Sequence, residues 1–184
     1  IDSCIFDDCK GDENKCFYLL FETMLFTFSH CIIQNHKESG VTNYIGAFDA
    51  KKMATLNLLN ISFINNCCDS LYGGGIGLKF IEMNNLIFTD CKFISNTAKQ
   101  NTSATHPSLN GKNYFNGDGG AIQLGYICKM NDVNLLFENC IFKNNKAYRH
   151  GGALAIQTIQ SVTIKKCIFE NNIANSEDDN RLLS

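Results

Sequence analysis

One recurring stretch decides the fold of this 184-residue chain, and its last copy reads Val162-Thr163-Ile164-Lys165-Lys166-Cys167-Ile168-Phe169-Glu170-Asn171-Asn172. The pattern is apolar, any, apolar, any, any, Cys, any, Phe, any, any, Asn. It occurs five more times, with substitutions, in strings whose cysteine position is held by Cys4, Cys31, Ile61, Cys91 and Cys140. Short units of this kind cannot bury an apolar face alone, so they predict a stack of repeats.

The spacing of the cysteine position sets the length of the repeat. Successive positions lie 27, 30, 30, 49 and 27 residues apart. The long interval contains an insertion of about 20 residues, at 98–117, whose polar run Thr102-Ser103-Ala104-Thr105-His106-Pro107 has the composition of a loop. A glycine pair precedes three of the strings, at Gly73-Gly74, Gly119-Gly120 and Gly151-Gly152, with a weaker copy at Ile45-Gly46.

Within each string, apolar and polar residues alternate with the two-residue period of a β-strand. The alternation shifts by one residue just before the cysteine position, which predicts a bend there. The asparagine and the glycine pair mark two more turns. No segment has the 3.6-residue apolar stripe of a helix. We therefore predict an all-β right-handed parallel β-helix of about six coils with one loop insertion, the hand following from the usual crossover preference.

In-register stacking would place equivalent side chains in columns. The predicted structural ladder combines a cysteine column, Cys4, Cys31, Cys91, Cys140 and Cys167, with asparagines whose amides bond from coil to coil, Asn66, Asn96, Asn145 and Asn172. By regularity the chain divides into degenerate, Cys-rich first coils at 1–44, regular repeats at 45–175, and a polar tail or the start of another coil at 176–184.

Composition excludes several partners. The chain has 16 basic and 18 acidic residues, a net charge of −2, which gives no reason to expect nucleic acid. The longest apolar stretch, 17–28, is about 12 residues long and contains Glu22, whereas a helical span needs roughly 20, so no membrane insertion is predicted. No leader peptide is visible at Ile1-Asp2-Ser3-Cys4, and we expect the chain to be part of a longer protein.

The ten cysteines allow two interpretations of the column. Neighbouring coils would place the Cα atoms of Cys4 and Cys31, or of Cys91 and Cys140, about 4.8 Å apart, within reach of a disulfide. Alternatively, the position takes a small apolar side chain and the thiols are reduced. We favour the second interpretation because Ile61 fills the same place, and the connectivity of any disulfide stays open.

Five cysteines lie off the column: Cys9, Cys16, Cys67, Cys68 and Cys128. Stacking would bring Cys9, His36 and Cys67 toward one edge, where a metal could bind. No Cys-x-x-Cys spacing supports this, so an irregular capping region is preferred and no metal site is predicted. The turn Asn116-Gly117-Asp118-Gly119-Gly120 is similar to calcium-binding turns, but it occurs once, which favours a simple turn.

Two sequons, Asn60-Ile61-Ser62 and Asn101-Thr102-Ser103, make Asn60 and Asn101 candidate glycosylation sites in a secreted protein. Catalysis on a polysaccharide would need clustered carboxylates, or a base beside bound calcium, on adjacent coils. The predicted outward residues supply no such pair: Asp49, Lys79, Gln123, Gln157, Thr163 and Lys165. We predict no catalytic residue, no cofactor and no enzymatic activity.

The two motifs together resemble the repeats of chlamydial polymorphic membrane proteins, which carry a Gly-Gly-Ala-Ile type motif and a Phe-x-x-Asn motif. The first motif is matched at Gly119-Gly120-Ala121-Ile122 and Gly151-Gly152-Ala153-Leu154, and the second at Phe63/Asn66, Phe93/Asn96, Phe142/Asn145 and Phe169/Asn172. Similar repeats are seen in large surface proteins of some protists. The resemblance implies a β-helix of the pectin lyase-like kind, displayed at a cell surface and often adhesive.

We therefore expect a non-catalytic β-helical fragment of a larger cell-surface or secreted repeat protein, with a protein or glycan as its partner. The insertion is the expected contact element, because loops on a rigid scaffold carry recognition. The alternative is a structural component of an intracellular fibre or cytoskeletal assembly, with copies stacking end to end. A polysaccharide-active enzyme is a lesser alternative.

Overall fold

The computed structural model describes residues 1–8, 17–21, 25–38, 46–68, 78–99, 117–124, 133–156 and 159–174. Within these ranges no helix is long and apolar enough to span a bilayer, because every regular element is a β-strand. In chain order the strands are β1 (Ile5–Asp7), β2 (Phe17–Phe21), β3 (Leu25–Ser29), β4 (Ile32–Gln34), β5 (Lys37–Glu38), β6 (Gly46–Leu59), β7 (Ser62–Ile64), β8 (Cys67–Cys68), β9 (Leu78–Thr89), β10 (Lys92–Ile94), β11 (Thr97–Ala98), β12 (Ile122–Leu124), β13 (Asn134–Glu138), β14 (Ile141–Lys143), β15 (Lys146–Ala147), β16 (Leu154–Ile156), β17 (Ser161–Lys165), β18 (Ile168–Glu170) and β19 (Ile173–Ala174).

The strands stack into three long faces. The first face has the order β17-β13-β9-β6-β2, with β3 also paired to β6. The second has the order β1-β4-β7-β10-β14-β18, and the third the order β19-β15-β11-β8-β5, while β12 pairs with β16. Each face takes its strands from successive repeats, and the pairing between these strands is parallel. The predicted all-β parallel solenoid is confirmed; its hand stays a prediction.

The pairing register places each repeat directly on the next one. On the second face, Phe93 lies opposite both Phe63 and Phe142, and Phe142 lies opposite Phe169. The 49-residue interval does not disturb this register, since Lys92 still pairs with Ile141. The strand register is therefore the same on both sides of the insertion.

The core consists of the inward columns that this register creates. Phe63, Phe93, Phe142 and Phe169 stack in sequence, with ring centroids 4.6–5.0 Å apart and nearly parallel planes. The rings of Phe88 and Phe137 on the first face also stack, at 4.8 Å. Complete burial of one such side chain contributes on the order of 2–3 kcal/mol, so the columns are the main source of stability.

Two corners per coil are formed by residues in the left-handed backbone region. The first corner lies just before the cysteine position, where φ is +51° to +56°, at Ser3, His30, Asn60, Asp90, Asn139 and Lys166. The second lies just before the ladder position, where φ is +41° to +60°, at Asp8, Asn35, Asn65, Ser95, Asn144 and Asn171. Asn and Asp tolerate this geometry better than most residues, which explains why six of the chain's 23 asparagines occupy these corners. The first corner lies at the bend that the phase shift predicts.

Candidate functional site

The buried polar groups of the molecule lie mainly on one edge, where the ladder asparagines are stacked. Asn66, Asn96 and Asn145 are buried. The Nδ2 of each donates to the Oδ1 of the asparagine on the following coil at 2.8–3.1 Å, and the series ends at Asn172. The same Oδ1 atoms accept the backbone N–H groups of Asn66, Asn96 and Asn145. Neutral amides thus satisfy one another inside an apolar core.

The second Nδ2 proton of each ladder amide binds the preceding coil. Asn66 and Asn96 donate to the backbone carbonyls of Ile33 and Phe63 at 3.0 Å. Asn145 and Asn172 make the equivalent bonds to Phe93 and Phe142. The side chains of Asn66, Asn96 and Asn145 therefore each connect three successive coils, and that of Asn172 connects two, which gives the ladder a structural role.

His36 occupies the ladder position of the second repeat and is completely buried. Its ring Nε2 lies 3.2 Å from the carbonyl oxygen of Phe6, and its backbone N–H donates to Asn66 Oδ1 at 3.2 Å. The imidazole thus takes the place of an asparagine amide. Within the described ranges, no group of three His, Cys, Asp or Glu side chains has the arrangement of a metal site. The sequence pattern placed Cys9, His36 and Cys67 at one edge, and Cys9 lies outside the described residues.

The cysteine column has a hydrogen-bonding role that the sequence pattern did not reveal. Each thiol donates to the backbone carbonyl two residues before it, at 3.0–3.4 Å, and the five donors are Cys4, Cys31, Cys91, Cys140 and Cys167. That carbonyl directly precedes the left-handed corner residue. The Sγ atoms of Cys91 and Cys140 also lie 3.2 and 3.4 Å from the carbonyl oxygens of Leu58 and Phe88 on the preceding coil, so each of these two thiol protons has two acceptors within reach. The thiol therefore caps the corner, which Ile61 cannot do.

These contacts describe thiols that are not in disulfides. In a parallel in-register pair, neighbouring Cβ atoms stay about 4.8 Å apart, whereas a disulfide needs roughly 3.5–4.5 Å, so a bridge would require the strands to move. Burial raises the pKa of the Cys91 thiol well above its ordinary value, and burial also raises the pKa values of Cys31 and Cys167. The Cys31, Cys91 and Cys167 thiols are thereby kept in their neutral, hydrogen-bonding form, whereas the pKa of Cys140 is lowered, chiefly by its side-chain hydrogen bond with Cys91.

Of the off-column cysteines, Cys67 is half-buried in β8 and is not in a disulfide. Cys68 follows it in the same strand. Cys16 and Cys128 lie outside the described residues.

A second buried polar group, Asp118, lies at the end of the insertion. The Arg149 guanidinium binds this carboxylate with both ends of its fork, Nε to Oδ1 at 2.9 Å and Nη2 to Oδ2 at 2.6 Å. Oδ1 also accepts the backbone N–H of His150 and contacts its ring Nδ1, both at 3.1 Å. The side chain of Asp118 is 3% exposed. Both oxygens of the Asp118 carboxylate accept hydrogen bonds from protein groups. This arrangement is that of a carboxylate with a structural role in a turn. A carboxylate that binds calcium would direct an oxygen toward the metal instead.

The Asp118 cluster joins the glycine pairs of two adjacent repeats. Gly119 donates to the carbonyl of His150, and Gly120 to that of Gly151. Gly119 has φ +64°, and a Cβ there would collide with the carbonyl oxygen of Ile122. Sequence reasoning treated Asp118 as part of a turn and missed its partners Arg149 and His150. The sequence did contain a signal for this contact. Asp118 directly precedes one glycine pair, Gly119-Gly120, and Arg149-His150 directly precede the glycine pair of the next repeat, Gly151-Gly152.

The remaining candidate residues are dispersed over the surface. Asn60 is exposed at a first corner, with its backbone N–H bonded to the Thr89 carbonyl, while Asn101 lies outside the described residues. Thr163 and Lys165 are exposed on β17, and Gln123 is half-buried on β12. The side chains of Asp49 and Lys79, and the whole of Gln157, fall outside what the structure describes. Asp118 is the one buried carboxyl group among the described residues.

Comparison with known families agrees with the repeat pattern. The model of the Chlamydia polymorphic membrane protein repeat matches residues 139–157, which contain Cys140, Phe142, Asn145 and the Gly151-Gly152 pair. The resemblance seen in the motifs is therefore confirmed over residues 139–157. The matched family is not known as an enzyme family. No curated protein and no solved structure is similar enough to the chain to count as a match.

Proposed function

We propose that the chain is a non-catalytic β-helical segment of a cell-surface repeat protein, which displays the insertion as a contact element for a protein or a glycan. The observation that carries this proposal is the continuity of the scaffold. The Phe column, the asparagine ladder and the strand register all run past the insertion without a break. A continuous stack of coils from which one insertion departs is suited to presenting that insertion as a contact loop. The matched repeat family supports the surface assignment.

Saturable binding to intact cells or to immobilised glycans would test the proposal. We expect a chain in which residues 101–115 are replaced by a Gly-Ser linker of equal length to lose this binding. Thr163→Ala, which changes an exposed side chain on β17, is the matched control and should bind normally. Equal binding by the linker variant would remove the insertion from the contact surface.

The compartment can be tested on the natural-source protein by its intact mass after thiol alkylation in denaturant without reduction. Fewer than ten modified cysteines, or hexose-sized additions at Asn60 or Asn101, would support an oxidising secretory route. Ten alkylated thiols and an unmodified mass would favour an intracellular structural rod instead.

End-to-end stacking of copies, as in an intracellular fibre, is the second candidate function. It is favoured by the apolar side chains on the open side of the last described coil, where Val162, Ile164 and Phe169 are 44%, 48% and 47% exposed. A coil edge with exposed apolar side chains can pair either with further coils of the same chain or with a second copy. Ile164→Lys should abolish fibres while leaving the earlier coils folded. Fibres that persist in this variant would exclude the stacking candidate.

A further inference from the structure

The two ends of the insertion meet at one place on the coil. The backbone N–H of Tyr148 donates to the carbonyl of Ala98, and the next N–H, that of Arg149, donates to the carbonyl of Gly117, both at 3.0 Å. Ala98 lies opposite Ala147 in the strand register. Two consecutive amides of the following coil therefore bind the two ends of the insertion, Ala98 and Gly117, and hold them side by side.

Gly117 fits this place because it has no side chain. Its φ is +104°, and a Cβ would lie 2.6 Å from the Cβ of Tyr148 and 3.3 Å from the carbonyl carbon of Lys99. The residue that ends the insertion thus contacts both the following coil and the residue that begins the insertion. A residue with a side chain could not bring the three segments so close.

The Asp118 carboxylate fastens this junction. One residue separates Gly117 from Gly119, whereas the opposing segment places both Arg149 and His150 between Tyr148 and Gly151. The carboxylate spans the extra residue, since it binds the Arg149 fork and the His150 backbone. A buried carboxylate with a two-bond guanidinium partner holds a fixed geometry. We call Asp118, Arg149 and His150 the clamp.

We propose that the clamp holds Ala98 and Gly117 together independently of the sequence between them, so that residues 99–116 can be removed or replaced without loss of the coil. Removal of these residues would join Ala98 to Gly117 and reduce the long interval from 49 to 31 residues, next to the usual 27–30. The cost of closing a loop also grows slowly with its length, so segments of different size fit one base. This inference holds whether or not the insertion binds a ligand.

The first test is excision of residues 99–116 from the full chain. We expect the shortened chain to fold and to melt within a few degrees of the parent. The matched control removes the same number of residues at 97–114, which keeps the length of the segment opposite β15 but puts Asn116 in the place of the buried Ala98. We expect the control to melt far below the parent. Equal loss of stability in both deletions would overturn the proposal.

The second test leaves the insertion in place and measures hydrogen exchange in Asp118→Asn, which removes the charge but keeps the shape. Exchange at the amides of Gly119 and Arg149 should become about tenfold faster or more, because a buried paired charge is lost. Exchange at the ladder amides of Asn96 and Asn145 should not change. Arg149→Lys, which keeps the charge but not the fork, should give an intermediate rate. Unchanged exchange at Gly119 and Arg149 would show that the clamp does not close the base.

Discussion

The fifth and sixth repeats carry the same pattern, yet their inward side chains have different surroundings. In the fifth repeat, Leu135, Phe137 and Phe142 are at most 2% exposed. The equivalent residues of the sixth, Val162, Ile164 and Phe169, are 44–48% exposed, because the described structure has a coil on one side of them only. The sequence pattern determines whether a side chain points inward, whereas the neighbouring coil determines how much the burial of that side chain contributes to stability.

The asparagine ladder shows the same difference in its hydrogen bonds. The Oδ1 atoms of Asn145 and Asn172 accept equivalent bonds from the preceding coil. Asn145 in turn finds an acceptor for its own backbone N–H in Asn172. Within the described structure no further coil offers that acceptor to Asn172. An inward residue of the sixth repeat should therefore tolerate changes that its counterpart in an inner coil does not.

The largest expected effect comes from the Phe column. Phe142→Ala should lower the free energy of unfolding by about 3–5 kcal/mol, because its ring stacks on both Phe93 and Phe169 and leaves a cavity when removed. Phe169→Ala should cost about half as much, since one side of its ring is uncovered. Urea denaturation of both variants measures the difference. Equal losses would mean that Phe169 is covered in solution.

The ladder should give the next effect. Asn96→Ala removes four hydrogen bonds and leaves the buried N–H of Asn66 without its acceptor, so we expect a loss of about 3 kcal/mol. Asn172→Ala is the paired variant at the end of the ladder, and about 1 kcal/mol is expected there. Denaturation midpoints at a constant m-value compare the two. A mild Asn96→Ala would contradict the role of the ladder as a connection between three coils.

Thiol reactivity should sharpen the comparison further. Burial raises the pKa of Cys91 well above the ordinary range, so its thiolate is scarce at neutral pH and its alkylation should wait for local unfolding. Cys167, half-buried on the last coil, should react about a hundredfold faster. Timed alkylation followed by peptide mass analysis resolves the two sites. Similar alkylation rates at the two sites would mean that the coil containing Cys91 opens frequently in solution.

The smallest effect is expected at the first coil and depends on pH. Hydrogen bonds from Ser29 and then from His30 lower the pKa of Asp2 from 3.8 to about 2. Because the folded pKa is the lower one, these contacts stabilise the first coil above pH 3.8 and lose their effect as the pH falls toward 2. NMR titration of the Asp2 carboxyl checks this, with Asp2→Asn as the control. A midpoint near 3.8 would mean that the first coil is not docked on β3.

Much of the fold could be predicted from the repeat alone. The two-residue alternation, the phase shift before the cysteine position and the regular spacing together led to a parallel solenoid with inward Phe and Asn columns. The corner residues carried a further signal, since Asn or Asp precedes the ladder position in five of six repeats. Such residues adopt left-handed geometry at little cost.

The polar details could not be predicted in the same way. The cysteine position was interpreted as a small apolar slot, because a pattern of residue types does not show where a thiol points its proton. The clamp was missed for a related reason. Asp118 and Arg149 are 31 residues apart and each occurs at its position once, so no periodicity connects them.

By itself, the sequence determined the period, the strand directions and the inward columns of this protein, because each depends on local alternation and on repetition. Only the tertiary structure decided which donor meets which acceptor: thiol to corner carbonyl, His36 in place of an amide, and Asp118 between Arg149 and His150. Only the stacking decided which inward side chains are fully covered. The physical reason is that hydrogen bonds and burial depend on distances between coils, and a pattern within one coil does not contain those distances.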